Sequence, residues 1–435
     1  MSTAANLIDQ LKEARSRTLA LVEDLTDEQL MGPRLEIVNP LLWEIGHVAW
    51  FQEKWTLRHL LKKEPIREDG DRLYDSMAVA HDTRWDLPLP SRQETFRYME
   101  QVLAGMIESL QVPKTEEESY FYRLALLHED MHDEAFSYAR QTLSYPPPPL
   151  WAQDREEISA APQAEGAPLS GDVEVAGGTF LLGATPEMPF VFDNEKWSHP
   201  VQVKPFRVAR AATSCAEFAA FVEEGGYQRR EWWSEPGWRW REQVGAQHPV
   251  YWKRESADHW TRRHFNQYLR LEENLPVLHV NWYEAEAYCR WAGRRLLTEP
   301  EWEMAASQSF QLDGTISEAK RRFPWGDEPP TSGRANLDWE AGGCVEVGAL
   351  EEGDSPSGCR QMIGNVWEWT ASDFLPYPGF VVDPYKDYSE PWFGTRKVLR
   401  GGCWTTRSRL IHNIWRNYYT PDRRDVWAGF RTART

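Results

Sequence analysis

In the first 145 residues the apolar positions recur three and four apart. Leu7, Leu11, Ala14, Thr18, Leu21 and Val22 trace one helical stripe, and Phe96, Met99, Leu103, Met106 and Leu110 trace a second. The run NPLLWEIGHVAWFQEKWTLRHLL, with Pro40 near its start, and the segment from Glu116 to Leu143 read as two further helices. Four amphipathic helices bury their stripes against one another, so residues 1–145 read as a four-helix bundle. Residues 146–171, PPPPLWAQDREEISAAPQAEGAPLSG, break every period with proline, alanine and charge, which is the texture of a linker. From 172 to 435 the pattern changes to short β-like runs (VEVAGGTFLLG, HPVQVKPFRVA, RKVLRGGCW) among connections rich in Gly, Pro and Trp, with a few short helices. The second half is therefore an α+β domain, and no fixed-period repeat suggests a solenoid or propeller.

Charge and composition narrow the function. With 49 basic and 67 acidic side chains the net charge is -18, which disfavours a phosphate-tracking surface; nucleic acid is not an expected partner. No stretch approaches the roughly 20 apolar residues that span a bilayer, and MSTAANLIDQLKEARSR lacks a secretory apolar core. The chain reads as soluble and cytoplasmic, with no membrane partner. Five cysteines, at 215, 289, 344, 359 and 403, form no CxxC pair and suggest neither a disulfide scaffold nor a cysteine-rich zinc site. The 23 tryptophans are more than usual; most are expected in the core, and aromatic faces also hold quaternary ammonium groups by cation–π attraction.

The chemistry concentrates in LLHEDMHDEAF, residues 126–136. On a helix here, Phe121, Leu124, Ala125, Leu127, Met131, Ala135, Phe136 and Ala139 form the apolar face, and His128 and His132 fall on it. Glu129, Asp130 and Asp133 project mainly elsewhere, and Glu129 and Asp130 read as the solvated face. Two inward imidazoles one turn apart can share a metal, each nitrogen ligand oriented by a bond from the other ring nitrogen. His47, in WEIGHVAWFQEKW, supplies a third imidazole from another helix, among Trp43, Trp50 and Phe51. Three neutral imidazoles leave coordination positions open to substrate or oxygen and suit zinc as well as iron. The competing explanation for the pair alone is a satisfied core contact.

The phrases GGTFLLG, FVFDNEKWSHPVQV, PVLHVNWYEAEAYCRWAGRRLLTEPEWEMAA, FPWGD, QMIGNVWEWTASDF, VLRGGCW and AGFRTAR resemble the formylglycine-generating-enzyme-like (sulfatase-modifying-factor) fold, a C-type-lectin-related module, over residues 172–435. The first half resembles a DinB-like four-helix bundle, whose family places metal-binding histidines where His47, His128 and His132 stand. The combination is similar to the ergothioneine-pathway sulfoxide synthases (EgtB type), non-haem iron enzymes that use O2 to join sulfur to C2 of the hercynine imidazole. The resemblance implies Fe(II) as cofactor and hercynine, O2 and a thiol or selenium donor as partners. It implies that Tyr385, in YKDY, acts as proton donor and that Tyr388 helps hold hercynine. RNYYTPDRR resembles the family's RNWDxPxRR, which implies substrate contacts for Asn417 and Arg423; Tyr419, where the family has Asp, is an expected contact for a less charged donor. Formylglycine generation itself is disfavoured, because its cysteine pair has no counterpart near NIWRNYYTPDRR.

The departures concern the donor. Met131 stands where Gln often precedes the third histidine, Tyr419 replaces an Asp, and HDTRWDLPLPS, residues 81–91, replaces an arginine-rich loop and keeps only Arg84. Loss of a carboxylate clamp favours a less charged donor. The loop is similar to that of the selenoneine synthase (SenA) branch, which uses a selenosugar, so Arg84, Trp85 and Asp86 join Met131 as expected substrate contacts, with His81 and Asp82 as possible turn residues. The leading expectation is C–Se bond formation with a selenosugar; the alternative is ergothioneine-type sulfoxide synthesis with cysteine or γ-glutamylcysteine.

Overall fold

The computed structural model describes residues 3–151, 169–256, 259–308 and 320–434. The chain divides into two compact units, Met1–Glu156 and Glu157–Thr435. Most of the expected linker, residues 152–168, lies outside the described residues. No helix among the described residues is long and apolar enough to cross a membrane.

The first unit is helical. Its elements are α1 (Thr3–Ala20), α2 (Asp27–Met31), α3 (Leu41–Gln52), α4 (Gly70–Tyr74), α5 (Arg92–Ser109) and α6 (Glu116–Thr142). The sequence marks where several of them start. Thr26 with Gln29, Ser91 with Glu94 and Thr115 with Glu118 form capping boxes, each pair satisfying two otherwise orphaned backbone N–H groups. The α1 stripe is buried as expected. In α5 the buried set is Thr95, Tyr98, Met99, Val102 and Met106, so Phe96 and Leu103 only flank the packed face. The long helix expected from residue 39 to 61 is α3 followed by a π-helical segment, Glu53–Leu60. There the fully buried Glu53 carboxylate accepts from the Tyr98 hydroxyl and the Ile66 N–H.

One expectation for α6 is overturned: Glu129 and Asp130 do not face solvent, and both are buried with Asp133. Packing of α6 against α1 and α3 covers the side that the sequence pattern assigns to water. Glu129 accepts from Arg15 Nε at 2.8 Å, Thr18 Oγ1 at 2.8 Å and Gln52 Nε2 at 2.6 Å. A carboxylate survives burial only when paired and hydrogen-bonded in this way.

The second unit comprises β1 (Asp172–Val175), β2 (Gly178–Leu182), β3 (His199–Val203), β4 (Phe206–Ala209), α7 (Cys215–Glu223), α8 (Glu235–Val244), β5 (Trp252–Ser256), β6 (His259–His264), β7 (Gln267–Arg270), α9 (Trp282–Trp291), β8 (Arg295–Leu296), α10 (Glu299–Ser307), β9 (Trp367–Asp373), β10 (Lys397–Arg400), β11 (Asn417–Tyr419), β12 (Ala428–Phe430) and β13 (Thr432–Arg434). They form four small sheets, ordered β1-β4-β13-β8, β11-β10-β9-β12, β2-β3 and β5-β6-β7. Every pairing is antiparallel except β12 with β9. Trp302, Trp367, Trp369, Trp404 and Trp427 are among its largest fully buried side chains, so these tryptophans are core. Fully buried arginines are each paired: Arg400 with Glu299 and Glu303, Arg416 with Glu299, and Arg431 with Glu368. The five cysteines are free thiols, four of them buried.

Candidate metal centre and substrate residues

Two helices set the centre: α3 carries His47 and α6 carries His128 and His132, one turn apart on the same face. One ligating atom from each of the three rings lies within 4.8 Å of the other two. No other set of three His, Cys, Asp or Glu side chains among the described residues reaches that spacing. Ring centroids are 4.5 Å apart for His128 and His132, 5.0 Å for His47 and His132, and 5.2 Å for His47 and His128.

The surroundings fix the rings. His47 Nδ1 donates to the Tyr74 carbonyl at 2.8 Å, and His132 Nδ1 donates to Glu44 Oε1 at 2.8 Å, which leaves Nε2 of each as the ligating atom. Trp43 stacks on His47 with centroids 5.0 Å apart and an interplanar angle of 11°, and Phe51 stacks on His128 at 3.5 Å. Burial, reinforced by the neighbouring His132, holds His47 and His128 well below the ordinary imidazole pKa, so both rings are neutral and their lone pairs are available at neutral pH. Gly46 is required beside His47, because a Cβ there would meet the Tyr74 ring at 2.3 Å. Three imidazole nitrogen donors from two helices, with the outer nitrogen bonded on two of them, fit a divalent transition metal.

The loop at 81–91 is a 3-10 turn, His81–Thr83, followed by an inward arginine. His81 Nε2 lies 3.2 Å from the Val38 carbonyl, and Thr83 Oγ1 donates to the Ala80 carbonyl at 2.7 Å, so the turn reading fits this segment. Arg84 differs from the substrate contact expected of it. It is buried, its Nη1 donates to Asn39 Oδ1 at 2.6 Å, and its Nη2 donates to the Ser76 and Val79 carbonyls at 3.2 Å each. Burial also lowers its pKa to about 10. Trp85 donates its indole N–H to the Met31 carbonyl at 3.1 Å, and the exposed Asp86 pairs with Arg34 at 2.6 Å. Met131 is half-buried beside His132 on α6.

In the second unit the YKDY segment forms a short 3-10 turn, Lys386–Tyr388. Tyr385 and Tyr388 are neighbours with centroids 6.1 Å apart, and Tyr388 stacks on Phe192 at 4.5 Å. The Tyr418 hydroxyl donates to the Tyr388 carbonyl and so ties this turn to β11. Asn417 and Tyr419 are half-buried on β11, and Asn417 Oδ1 accepts from the Tyr418 N–H at 2.8 Å. Arg423 makes two 2.6 Å bonds to the buried Asp425 and lies 5.1 Å from the Tyr419 ring.

Sequence reasoning passed over Glu44, Asn39 and Tyr74. The available signal was Glu44 itself, an acid inside the apolar run PLLWEIGHVAWF and one turn before His47. A charge on a buried helix face needs a partner, and that partner is His132 on a different helix.

Comparison with known proteins adds the following. The sulfatase-modifying factor enzyme 1-like domain matches residues 157–435, and the DinB superfamily matches residues 10–135. The chain is 35% identical over 437 residues to hercynine oxygenase of Mycolicibacterium thermoresistibile, covering 99% of this chain and 94% of that one. It is 35% identical over 441 residues to hercynine oxygenase of Mycolicibacterium smegmatis, covering 100% and 99%. It is also 31% identical over 301 residues to the formylglycine-generating enzyme of Streptomyces coelicolor, covering 62% of this chain and 91% of that enzyme.

Proposed function

We propose, for a chain that belongs to the hercynine oxygenase family, that it is a cytoplasmic iron-dependent oxidoreductase joining the sulfur of cysteine or γ-glutamylcysteine to C2 of the hercynine imidazole with O2. The observation that carries this reading is the convergence of His47, His128 and His132 within 4.8 Å, in a chain matched end to end by two hercynine oxygenases. In the overall balance one S–H and one C2–H bond break, one C–S and one S–O bond form, and the second oxygen atom leaves as water. Iron(II), when bound, supplies the one-electron chemistry by which O2 reacts with closed-shell partners.

The protein's own residues do the rest. Tyr74 and Glu44 accept from the outer nitrogens of His47 and His132 and fix their rings, and burial keeps His47 and His128 neutral. Uncharged ligands leave the full charge of the metal to attract a thiolate. Tyr385 is proposed as the proton donor through its phenolic O–H, with Tyr388 and Asn417 holding hercynine, whose trimethylammonium group suits aromatic faces. Tyr419, Arg423, Trp85, Asp86 and Met131 are proposed contacts for the substrates.

Transfer of selenium from a selenosugar, the leading expectation from sequence, is the second reading, because the two full-length relatives compared above are named hercynine oxygenases. It is kept for one observation: Arg84, the one arginine of the 81–91 loop, is buried and donates through its two terminal nitrogens to Asn39 and two backbone carbonyls, so that end of the guanidinium is turned inward, away from a donor carboxylate. Iron-loaded protein is incubated in air with hercynine and cysteine, γ-glutamylcysteine or a selenosugar, and products are identified by mass. A sulfoxide from one of the thiols is expected. Product from the selenosugar alone replaces the sulfur reading with the selenium one, and no product from any donor refutes both.

A further inference from the structure

The inward arginine of the 81–91 loop ends in the metal centre by two routes. On the first, Arg84 Nη1 donates to Asn39 Oδ1 at 2.6 Å, Asn39 Nδ2 donates to Glu44 Oε2 at 3.3 Å, and Glu44 Oε1 accepts from His132 Nδ1 at 2.8 Å. On the second, the Arg84 guanidinium carbon lies 3.9 Å from the centre of the Trp43 ring, and Trp43 stacks on His47. Trp43 is held in turn by a 2.6 Å bond from its indole N–H to the Leu73 carbonyl, next to the Tyr74 carbonyl that accepts from His47. Arg84, Glu44 and Trp43 are buried, while Asn39 and His132 are half-buried, so the network lies largely away from bulk water. Two of the three ligand rings therefore take their orientation from groups that one guanidinium holds in place.

We propose that Arg84 is a positioning residue for the metal centre, acting on His132 through Asn39 and Glu44 and on His47 through Trp43. The amide of Asn39 is the joint of the first route: its oxygen accepts from the arginine while its nitrogen donates to the carboxylate, a pairing that an ionised carboxylate at this position cannot make. The 81–91 loop is thereby a brace for the ligands. The inference rests on the reading of the three histidines as a metal site, and the test separates the two.

Metal-free full-length protein is titrated with cobalt(II) against a chromophoric chelator, and the visible ligand-field spectrum is recorded with the thermal midpoint. Wild type, Glu44→Gln, Asn39→Asp and Arg84→Lys are compared. Asn39→Asp keeps the acceptor for Arg84 but loses the donor to Glu44; Arg84→Lys keeps the charge but loses the fork. Loss of an outer-shell partner weakens metal affinity by about 10- to 100-fold, which is expected of Glu44→Gln. Asn39→Asp and Arg84→Lys are expected to weaken cobalt binding in the same direction and to shift the spectrum at a thermal midpoint close to wild type, which a merely structural role does not do. Wild-type affinity and spectrum in both overturn the proposal; where Arg84→Lys does not fold, wild-type behaviour of Asn39→Asp alone overturns it. Failure of the wild type to bind one equivalent of cobalt refutes the metal reading itself.

Discussion

Gly46 offers a single-atom test of how the centre is held. Alanine at this position places a methyl carbon 2.3 Å from Tyr74 Cε1, 2.4 Å from Cζ and 2.6 Å from the hydroxyl oxygen. The Tyr74 ring is fully buried and touches Trp43 and Tyr98, so it cannot simply swing away. Overpacking of this kind costs typically 1–3 kcal/mol, and a three-atom overlap against an immobile ring belongs at about 3 kcal/mol. Within a helix Gly→Ala also returns about 1 kcal/mol of propensity, so the net loss is about 2 kcal/mol. For a unit of this size that lowers the thermal midpoint by about 4–8 °C. The displaced Tyr74 also draws its carbonyl away from His47 Nδ1, so metal affinity falls by about 10-fold or more. Gly105→Ala, in α5, is the control. Its new methyl meets only the end of the Leu57 side chain at 3.1 Å, so the propensity gain dominates and the midpoint stays level or rises. Circular dichroism melts of metal-free protein and a metal titration read both effects. Equal midpoints and affinities for Gly46→Ala and wild type refute the reasoning.

Three further outcomes follow from the same physical account. Glu129→Ala strips the buried Arg15 of its 2.8 Å partner and lowers the unfolding free energy by about 3–5 kcal/mol in urea titrations; a change under about 1 kcal/mol contradicts the pairing. His279, at a positive φ that Asn tolerates, has its pKa lowered from 6.5 to about 3, chiefly by burial and then by Arg263. Its contribution to stability is therefore complete above about pH 6.5 and is lost as pH falls toward 3; at pH 5 it has declined by about 2 kcal/mol, and His279→Asn flattens that part of the pH–stability curve. Metal at about 100 times its Kd raises the unfolding free energy by about 2.7 kcal/mol in wild type, and His128→Ala abolishes the gain; an equal gain in both argues against ligation by His128.

What the sequence made legible was local. The three-four stripes of α1 and α6 and the β-like runs at 173–183 and 199–209 each depend on neighbours within a few positions, and helices and strands stand there. The buried state of Glu129 was hidden because its partners, Arg15 and Gln52, lie 114 and 77 residues away, and an acid without its partners looks solvated. Glu44 escaped for the same reason, its histidine being 88 residues distant. For Arg84 the loop's resemblance implies a substrate contact, while its acceptor Asn39 lies 45 residues upstream. Strands β5, β6 and β7 gave no signal, since Lys, Arg, His and Gln fill a small sheet whose outer strands are largely exposed. Family resemblance reached the three histidines because their motif is local on α3 and α6; it carried the donor loop less well, where recognition depends on which way a guanidinium turns.

X-ray absorption on protein loaded with one equivalent of iron(II) and prepared without O2 tests the central claim most directly. The account predicts a first shell of light atoms with outer-shell scattering from three imidazoles, reduced to two when His128 is replaced by alanine. Scattering from fewer than three imidazoles in the wild type, or a spectrum unchanged by His128→Ala, contradicts it.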